Sequence, residues 1–231
     1  MINNFKNLSL LIIAIVGIYG KCNKVDVNRC NGDCYNIMGV VKDSLSGTPI
    51  TNAEIELASI NGANFYSGTY GKGYTNSSGL YNLFYPSKQV DFKDFYLLIT
   101  IKAPADYIAD EISDLKSISY KIYANDSPKI NIPIIRNASF FKNAFLNIRV
   151  IKTTNGKSLN SFYSRFGRFG TNSVSTFPST NNLDTTYHFE TAGGIKNYLN
   201  WETKNSSGTI IKFSDSTIIS PSQTKEFVIR L

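Results

Sequence analysis

The chain has 231 residues, a formal net charge of +7 at pH 7, and 42% hydrophobic and 13% aromatic residues. This content excludes an intrinsically disordered chain, because such chains contain too few apolar and aromatic residues to form a core. The lysine and arginine residues are scattered, so they predict a solvated basic surface and no nucleic-acid partner, with acidic glycans or a lipid surface as the alternative partners.

The N-terminal residues predict an export signal. Lys6 supplies positive charge, and residues 10–18 form an apolar run that is too short to span a bilayer, which takes about 20 residues. Residues 1–21 are therefore predicted to be a signal peptide, followed by a polar tether over residues 22–35. A buried strand or core helix is the alternative interpretation of the apolar run.

The position of Cys22 directly after this leader suggests a lipoprotein, in which the cysteine carries acyl chains and becomes the N-terminus. Lys21 departs from the usual residues before such a cysteine, and cleavage after Gly20 would instead give a secreted protein. The chain has three cysteines in all. If Cys22 carries lipid, Cys30 and Cys34 are left to pair as a disulfide in an oxidising compartment.

The next residues predict short strands joined by tight turns. Residues 37–41 form an apolar run, and Ala53, Ile55 and Leu57 alternate with polar residues, which is typical of strands that place one face on a core. Further strands are predicted over residues 95–101, 117–123 and 129–135. Two turns interrupt the early strands, and their glycines are expected to adopt positive φ; these are Gly47 and Gly79.

The same stretch resembles the carboxypeptidase regulatory-like domain, a transthyretin-like β-sandwich. The matching residues are Gly39, Val41, Asp43, Gly47, Pro49, Ile50, Ala53, Ile55, Leu57, Thr75, Asn76, Gly79, Tyr81 and Leu83. The resemblance implies a β-sandwich over residues 36–136 in which these residues form turns and core. It implies no catalytic residue.

The strand pattern restarts after residue 136. Residues 144–152 alternate in polarity, and short strands are predicted over residues 186–190, 198–204, 209–213 and 225–231. The predicted fold is therefore all-β, with two tandem β-sandwiches, the second over residues 137–231. This order resembles surface lipoproteins of Gram-negative bacteria, which implies anchoring in the outer membrane on its periplasmic or surface face, or secretion if the lipid is absent.

The residues offer no recognisable catalytic constellation. His188 is the only histidine and lies in a predicted strand, whereas a zinc site needs three or four histidine, cysteine or carboxylate ligands. The chain has neither a Gly-x-Ser-x-Gly nucleophile elbow nor a glycine-rich phosphate loop. We therefore predict a protein that is not an enzyme and that holds no cofactor or metal. A pair of carboxylates of the glycosidase type is the alternative.

The segment from Ser161 to Asp184 is predicted to be a long loop in which aromatic residues alternate with arginines. Aromatic rings beside guanidinium groups suit sugar rings, anionic groups or a protein partner. The candidate binding residues are Phe162, Tyr163, Arg165, Phe166, Arg168 and Phe169. The alternative is a loop whose rings fold back onto the edge of the sandwich.

These features predict a non-enzymatic exported lipoprotein of the cell envelope, with a membrane partner through Cys22. Its two sandwiches would present loops to a glycan or a protein. A structural subunit of the cell surface, akin to fimbrial proteins, ranks second, because no cleavable donor segment is visible. An enzyme ranks third.

Overall fold

The computed structural model describes residues 23–61, 66–110, 115–126, 128–130, 132–152, 156–167, 170–174 and 183–231. These residues form sixteen β-strands and two short 3-10 helices, at Ser87–Gln89 and Ala124–Asp126. Within these ranges, no helix has the length and apolar character needed to cross a membrane. The chain is therefore an all-β protein, as the sequence predicts.

The first nine strands build the first sandwich. They are β1 (Asn23–Lys24), β2 (Cys34–Asp43), β3 (Glu54–Asn61), β4 (Tyr66–Tyr74), β5 (Leu80–Pro86), β6 (Phe95–Lys102), β7 (Tyr107–Ile108), β8 (Ser117–Ile122) and β9 (Ile134–Ile135). The strands predicted near residues 37–41, 95–101 and 117–123 are confirmed. In the described part of the strand predicted over residues 129–135, the pairing is limited to β9.

One sheet of this sandwich has the order β1-β4-β3-β6-β8, and the facing sheet contains β2 with β5 and β9 as neighbours. Alternation along β3 turns Ile55 and Leu57 into the fully buried core. Glu54, on the opposite face of β3, forms ion pairs with Lys72 at 3.0 Å and Lys102 at 2.8 Å. The hydrogen bond from Lys102 lowers the pKa of the Glu54 carboxyl below its usual value.

The two turn glycines adopt the predicted backbone conformation. Gly47 has φ of 72° and Gly79 has φ of 68°, a region that favours glycine because a Cβ is strained there. Their surroundings differ. A Cβ on Gly79 would lie 2.5 Å from the carbonyl oxygen of Val41, whereas one on Gly47 would meet nothing within 4 Å.

The segment expected to be a polar tether is instead docked on the first sandwich. Asn23 and Lys24 pair in parallel with Thr69 and Tyr70 of β4. Val27 is fully buried in the core, and its carbonyl oxygen accepts a 2.7 Å hydrogen bond from the backbone N–H of Phe84. The tether prediction is therefore wrong for residues 23–27, because the two valines of this segment, Val25 and Val27, contribute apolar surface to the core.

The remaining strands form the second sandwich. They are β10 (Ala138–Lys152), β11 (Lys157–Phe166), β12 (Gly170–Val174), β13 (Leu183–Ala192), β14 (Lys196–Asn205), β15 (Ile210–Ile218) and β16 (Thr224–Arg230). A sheet of order β12-β11-β14-β15 faces the strands β13, β10 and β16. Leu146, Ile148 and Val150 of β10 alternate into the core between these sheets, as the pattern predicts.

The loop predicted over residues 161–184 is wrong for its first part, which forms the end of β11 and all of β12. Phe162, Ser164 and Phe166 point inward at alternate positions of β11, and all three are buried. The register shifts between Leu159 and Ser161, where an extra residue bulges from the strand. Because of the bulge and the small polar Ser164, the sequence of β11 does not show a regular alternation of apolar and polar residues.

Strand β10 belongs to both sandwiches. Its fifteen residues pair with β2 over residues 138–140, with β7 over residues 141–142, and with β13 over residues 143–152. The domain boundary predicted between residues 136 and 137 falls directly before this strand. The second sandwich is thus joined to the first by a continuous hydrogen-bonded strand rather than by a separate linker.

Side chains from both sandwiches pack around this junction. Ile108, Phe166 and Ala192 form a separate buried apolar cluster. Beside it, the Asn143 side chain donates a 2.9 Å hydrogen bond to Glu190, and Lys116 forms an ion pair with the same carboxylate. These contacts hold the two sandwiches against each other.

Candidate functional site

The outward face of the four-stranded sheet in the second sandwich carries the candidate site. Tyr163 and Arg165 lie on β11 at positions that alternate with its buried residues. In the neighbouring strand, Asn200 lies opposite Tyr163 and Tyr198 lies opposite Arg165. Strand β15 continues the row, with Ser216 opposite Tyr198. We call the surface formed by Tyr163, Arg165, Lys196, Tyr198, Asn200, Ser214, Asp215 and Ser216 the tyrosine face.

Two exposed tyrosines dominate the tyrosine face. Tyr163 is 47% exposed and Tyr198 is 43% exposed, so both rings present apolar surface to solvent. Two cations flank the second ring: the guanidinium carbon of Arg165 lies 5.7 Å from the ring centre of Tyr198, and the ammonium nitrogen of Lys196 lies 5.8 Å from it. Such cation-π contacts fix the position of a long side chain beside the ring.

The tyrosine face surrounds a shallow depression of about 450 Å³. Its lining combines the two rings and Arg165 with the amide of Asn200 and two serines, and Asp215 borders it between these serines on β15. Amide and hydroxyl groups donate and accept hydrogen bonds, a guanidinium group strengthens such bonds by its charge, and rings offer flat apolar contact. This combination suits a polar, ring-shaped ligand such as a carbohydrate.

The prediction that Phe162 and Phe166 contact a ligand is wrong. Phe162 is 1% exposed and stacks on Phe189 with ring centres 5.7 Å apart in the core of the second sandwich. Phe166 is fully buried in the junction cluster. The physical reason is the period of two in β11, which turns these rings inward and the residues between them outward.

The other predicted binding residues divide into two groups. Tyr163 and Arg165 lie together on the tyrosine face, where both contribute to the depression. Arg168 and Phe169 lie outside the described residues.

Sequence reasoning missed the contributions of β14 and β15, namely Lys196, Tyr198, Asn200, Ser214, Asp215 and Ser216. The alternation of polar and apolar residues in β14 was the available signal for Tyr198 and Asn200.

Several polar groups outside the tyrosine face have structural partners. His188 lies on β13, where its Nδ1 is 2.8 Å from Oδ1 of Asn147 on the neighbouring strand. Arg149 binds both carboxylate oxygens of Asp184, at 2.8 and 2.7 Å. In the ranges that the structure describes, histidine, cysteine and carboxylate residues form no group of three or more that would suit a metal ion.

Two cysteines lie around the start of β2, Cys30 just before it and Cys34 at its first residue. Cys30 and Cys34 are joined by a disulfide. Because the loop it closes is short, this bond stabilises the chain locally rather than constraining the whole fold. The predicted lipidation residue, Cys22, lies outside the described residues.

No family model and no curated protein sequence matches the chain. Among solved structures, it is similar to the minor pilin GBS52 of Streptococcus agalactiae, with 10% identity, a TM-score of 0.36, and coverage of 85% of this chain and 94% of the pilin. It is also similar to the TIE protein of Bacillus anthracis and to a streptococcal ancillary pilin.

The TIE protein is 15% identical with a TM-score of 0.33, and the match covers 86% of this chain but 34% of that protein. The ancillary pilin is 10% identical with a TM-score of 0.32, and the match covers 85% of this chain and 64% of the pilin. The chain thus spans less than two thirds of either protein. Similarity at these levels carries no information about what this chain binds or assembles into.

Proposed function

We propose that this chain is an exported, non-enzymatic protein of the cell envelope, anchored by lipid on Cys22, that binds a glycan at the tyrosine face. The observation that carries the proposal is the row of side chains over two adjacent strands, in which Tyr163 and Arg165 of β11 meet Tyr198 of β14. Ser216 extends the row onto a third strand, β15. A sheet holds such side chains at fixed spacing, so little conformational entropy is lost when a ligand binds.

The first sandwich serves as the scaffold in this proposal. Its resemblance to carboxypeptidase regulatory-like domains, which we also propose to be genuine, supports a role without catalysis. The matched residues have structural roles: Val41 and Ile55 are fully buried, and Tyr81 donates a 2.5 Å hydrogen bond to the carbonyl oxygen of Arg136. A Cβ on Gly39 would lie 1.9 Å from that same oxygen, so this position requires glycine.

Substitution on the tyrosine face tests glycan binding. We expect Arg165→Ala with Tyr198→Ala to weaken binding to glycans identified on an array by at least about tenfold, because truncating central aromatic and arginine contacts each costs more than about 1 kcal/mol. Arg149→Ala is the matched control, since Arg149 is also an exposed arginine in a cross-strand contact but lies on the other sheet. A wild-type chain that binds no glycan, or a double variant that binds normally, contradicts the proposed site.

The lipid anchor is tested at Cys22. We expect the mature protein to begin at an acylated Cys22 and to fractionate with membranes, because two or more acyl chains give stable anchoring. Cys22→Ser should release it into the soluble fraction. An unmodified mature N-terminus in the mass spectrum, together with unchanged fractionation of the variant, contradicts the anchor.

A structural subunit of the cell surface is the second candidate, and one observation favours it. Strand β15 pairs only with β14 among the described strands, and it exposes Ile210, Ile211, Phe213 and Ile218. An unprotected apolar edge strand is a template for pairing with another chain. Negative-stain microscopy of the purified protein distinguishes the two candidates, because a subunit forms filaments and a glycan-binding monomer does not.

A further inference from the structure

The two ends of the first sandwich differ in what lies beyond them. At one end β2 finishes, and β10 continues into the second sandwich. At the other end β2 begins at Cys34, which lies opposite Pro86, and β6 begins at Phe95, which lies opposite Asn61. We call this second end the basal end, since it lies away from the second sandwich.

The described residues begin near the basal end. Asn23 pairs with Thr69 in parallel register, close to the residue at which β4 begins, Tyr66. Strand β4 begins at the basal end, because its partner β3 finishes there. The first described residue, Asn23, is thus fixed in the sheet near the basal end. A lipid on Cys22 would hold the basal end against the bilayer.

A group of exposed apolar side chains begins at the basal end and extends along one flank. Its members are between 37% and 59% exposed; they are Tyr123, Ile130, Ile132 and Ile135. Ile130 shares a depression of about 290 Å³ with Cys30 and Cys34, at the start of β2. Single exposed apolar residues are ordinary, but exposed apolar residues that line one depression, as Ile132 and Ile135 do, mark an interaction surface. We call these four residues the basal patch.

Basic residues surround the basal patch. Lys129 and Arg136 line a second depression, of about 270 Å³, together with Ile132 and Ile135. Lys121 lies on the adjoining strand β8 with its ammonium group 5.1 Å from the ring centre of Tyr96. Two carboxylates lie in the two depressions: Asp126 accepts a 2.6 Å hydrogen bond from the backbone N–H of Tyr123, and Asp33 lines the depression that contains Ile130. The patch thus combines apolar side chains with an excess of positive charge.

We propose that the basal patch lies on the surface of the bilayer, with its isoleucines in the interface and its basic residues against anionic headgroups. The inference rests on the proposed lipid anchor, because the anchor brings the bilayer to this end. Apolar side chains with Lys or Arg beside them are the chemistry by which peripheral proteins contact anionic membranes. Binding at the patch gives a second membrane contact, so the protein lies in one orientation instead of rotating about its lipid.

Hydrogen exchange of the full chain tests this contact. The protein, purified with its anchor, is placed either in vesicles that contain anionic lipid or in detergent micelles, and exchange is followed by mass spectrometry. We expect peptides containing Ile132 and Ile135 to exchange at least about threefold more slowly on vesicles, because the bilayer restricts access of water to these amides. Peptides of β15 that contain Ile210 and Ile211 should show no difference.

Two matched variants sharpen the test. Ile132→Ser with Ile135→Ser should abolish the protection, whereas Ile210→Ser with Ile211→Ser, which removes two similarly exposed isoleucines from the second sandwich, should leave it unchanged. Equal exchange of the patch on vesicles and in micelles, with the protein still bound to vesicles, overturns the inference but leaves the anchor intact. Protection that rises with protein concentration in lipid-free detergent overturns it in favour of contact between copies. Failure of the chain to bind vesicles at all would count against the anchor itself.

Discussion

Phe162→Ala is expected to lower the free energy of unfolding by about 3–5 kcal/mol, the usual effect of removing a buried ring from a core. Phe162 is fully enclosed between the two sheets of the second sandwich and stacks on Phe189. Its truncation removes apolar surface from the core and leaves a cavity that the surrounding strands fill only in part. Equilibrium denaturation in urea, monitored by the fluorescence of Trp201 in the same core, measures this loss.

The neighbouring residue provides the control. Tyr163→Ala alters an exposed ring on the opposite face of the same strand, so the free energy of unfolding should change by no more than about 0.5 kcal/mol. The same variant should weaken glycan binding, because Tyr163 lines the depression on the tyrosine face. Equal destabilisation by the two substitutions would contradict the assignment of Phe162 to the buried face of β11 and of Tyr163 to its exposed face.

Gly79→Ala is expected to destabilise the chain more than Gly47→Ala, although both glycines have nearly the same positive φ. The left-handed conformation costs a residue with a Cβ about 1–2 kcal/mol, and both variants carry this cost. Only the new Cβ at residue 79 meets the carbonyl oxygen of Val41, and such overpacking adds about 1–3 kcal/mol.

Thermal unfolding of the two variants beside the wild type measures the difference between them. Because both substitutions are glycine to alanine, they change the entropy of the unfolded chain by the same amount. The difference between the two melting temperatures therefore measures how closely the backbone at Gly79 approaches the carbonyl oxygen of Val41. Identical melting temperatures for the two variants would contradict that approach.

The first sandwich was largely predictable because its signals are local. Gly79 indicated a turn on its own, and the alternation of Ala53, Ile55 and Leu57 indicated which face is buried. The docking of Val25 and Val27 was not predictable, because two valines in a polar segment are too short a pattern to distinguish a strand from a linker.

The candidate site was predictable only in part, for a physical reason. Tyr163 and Arg165 are close in sequence, and their composition indicated a binding surface. Tyr198 and Ser216 join them only through the register of three antiparallel strands. Register depends on the fit of whole faces and on turn geometry, and neither property belongs to any single segment. The same register determines that the Phe162 side chain lies on the buried face of β11.

Strand β10 has a mechanical consequence. At about 3.4 Å per residue its fifteen residues are about 50 Å long, and they form one continuous strand from the first sandwich into the second. A force that pulls the second sandwich away from a held N-terminus is transmitted along β10. Its parallel neighbours, β2 and β16, share the load through hydrogen bonds that are strained in shear all together rather than one after another. Within the described residues no separate linker lies between the two sandwiches, so we expect tension between them to load these hydrogen bonds before it extends the chain.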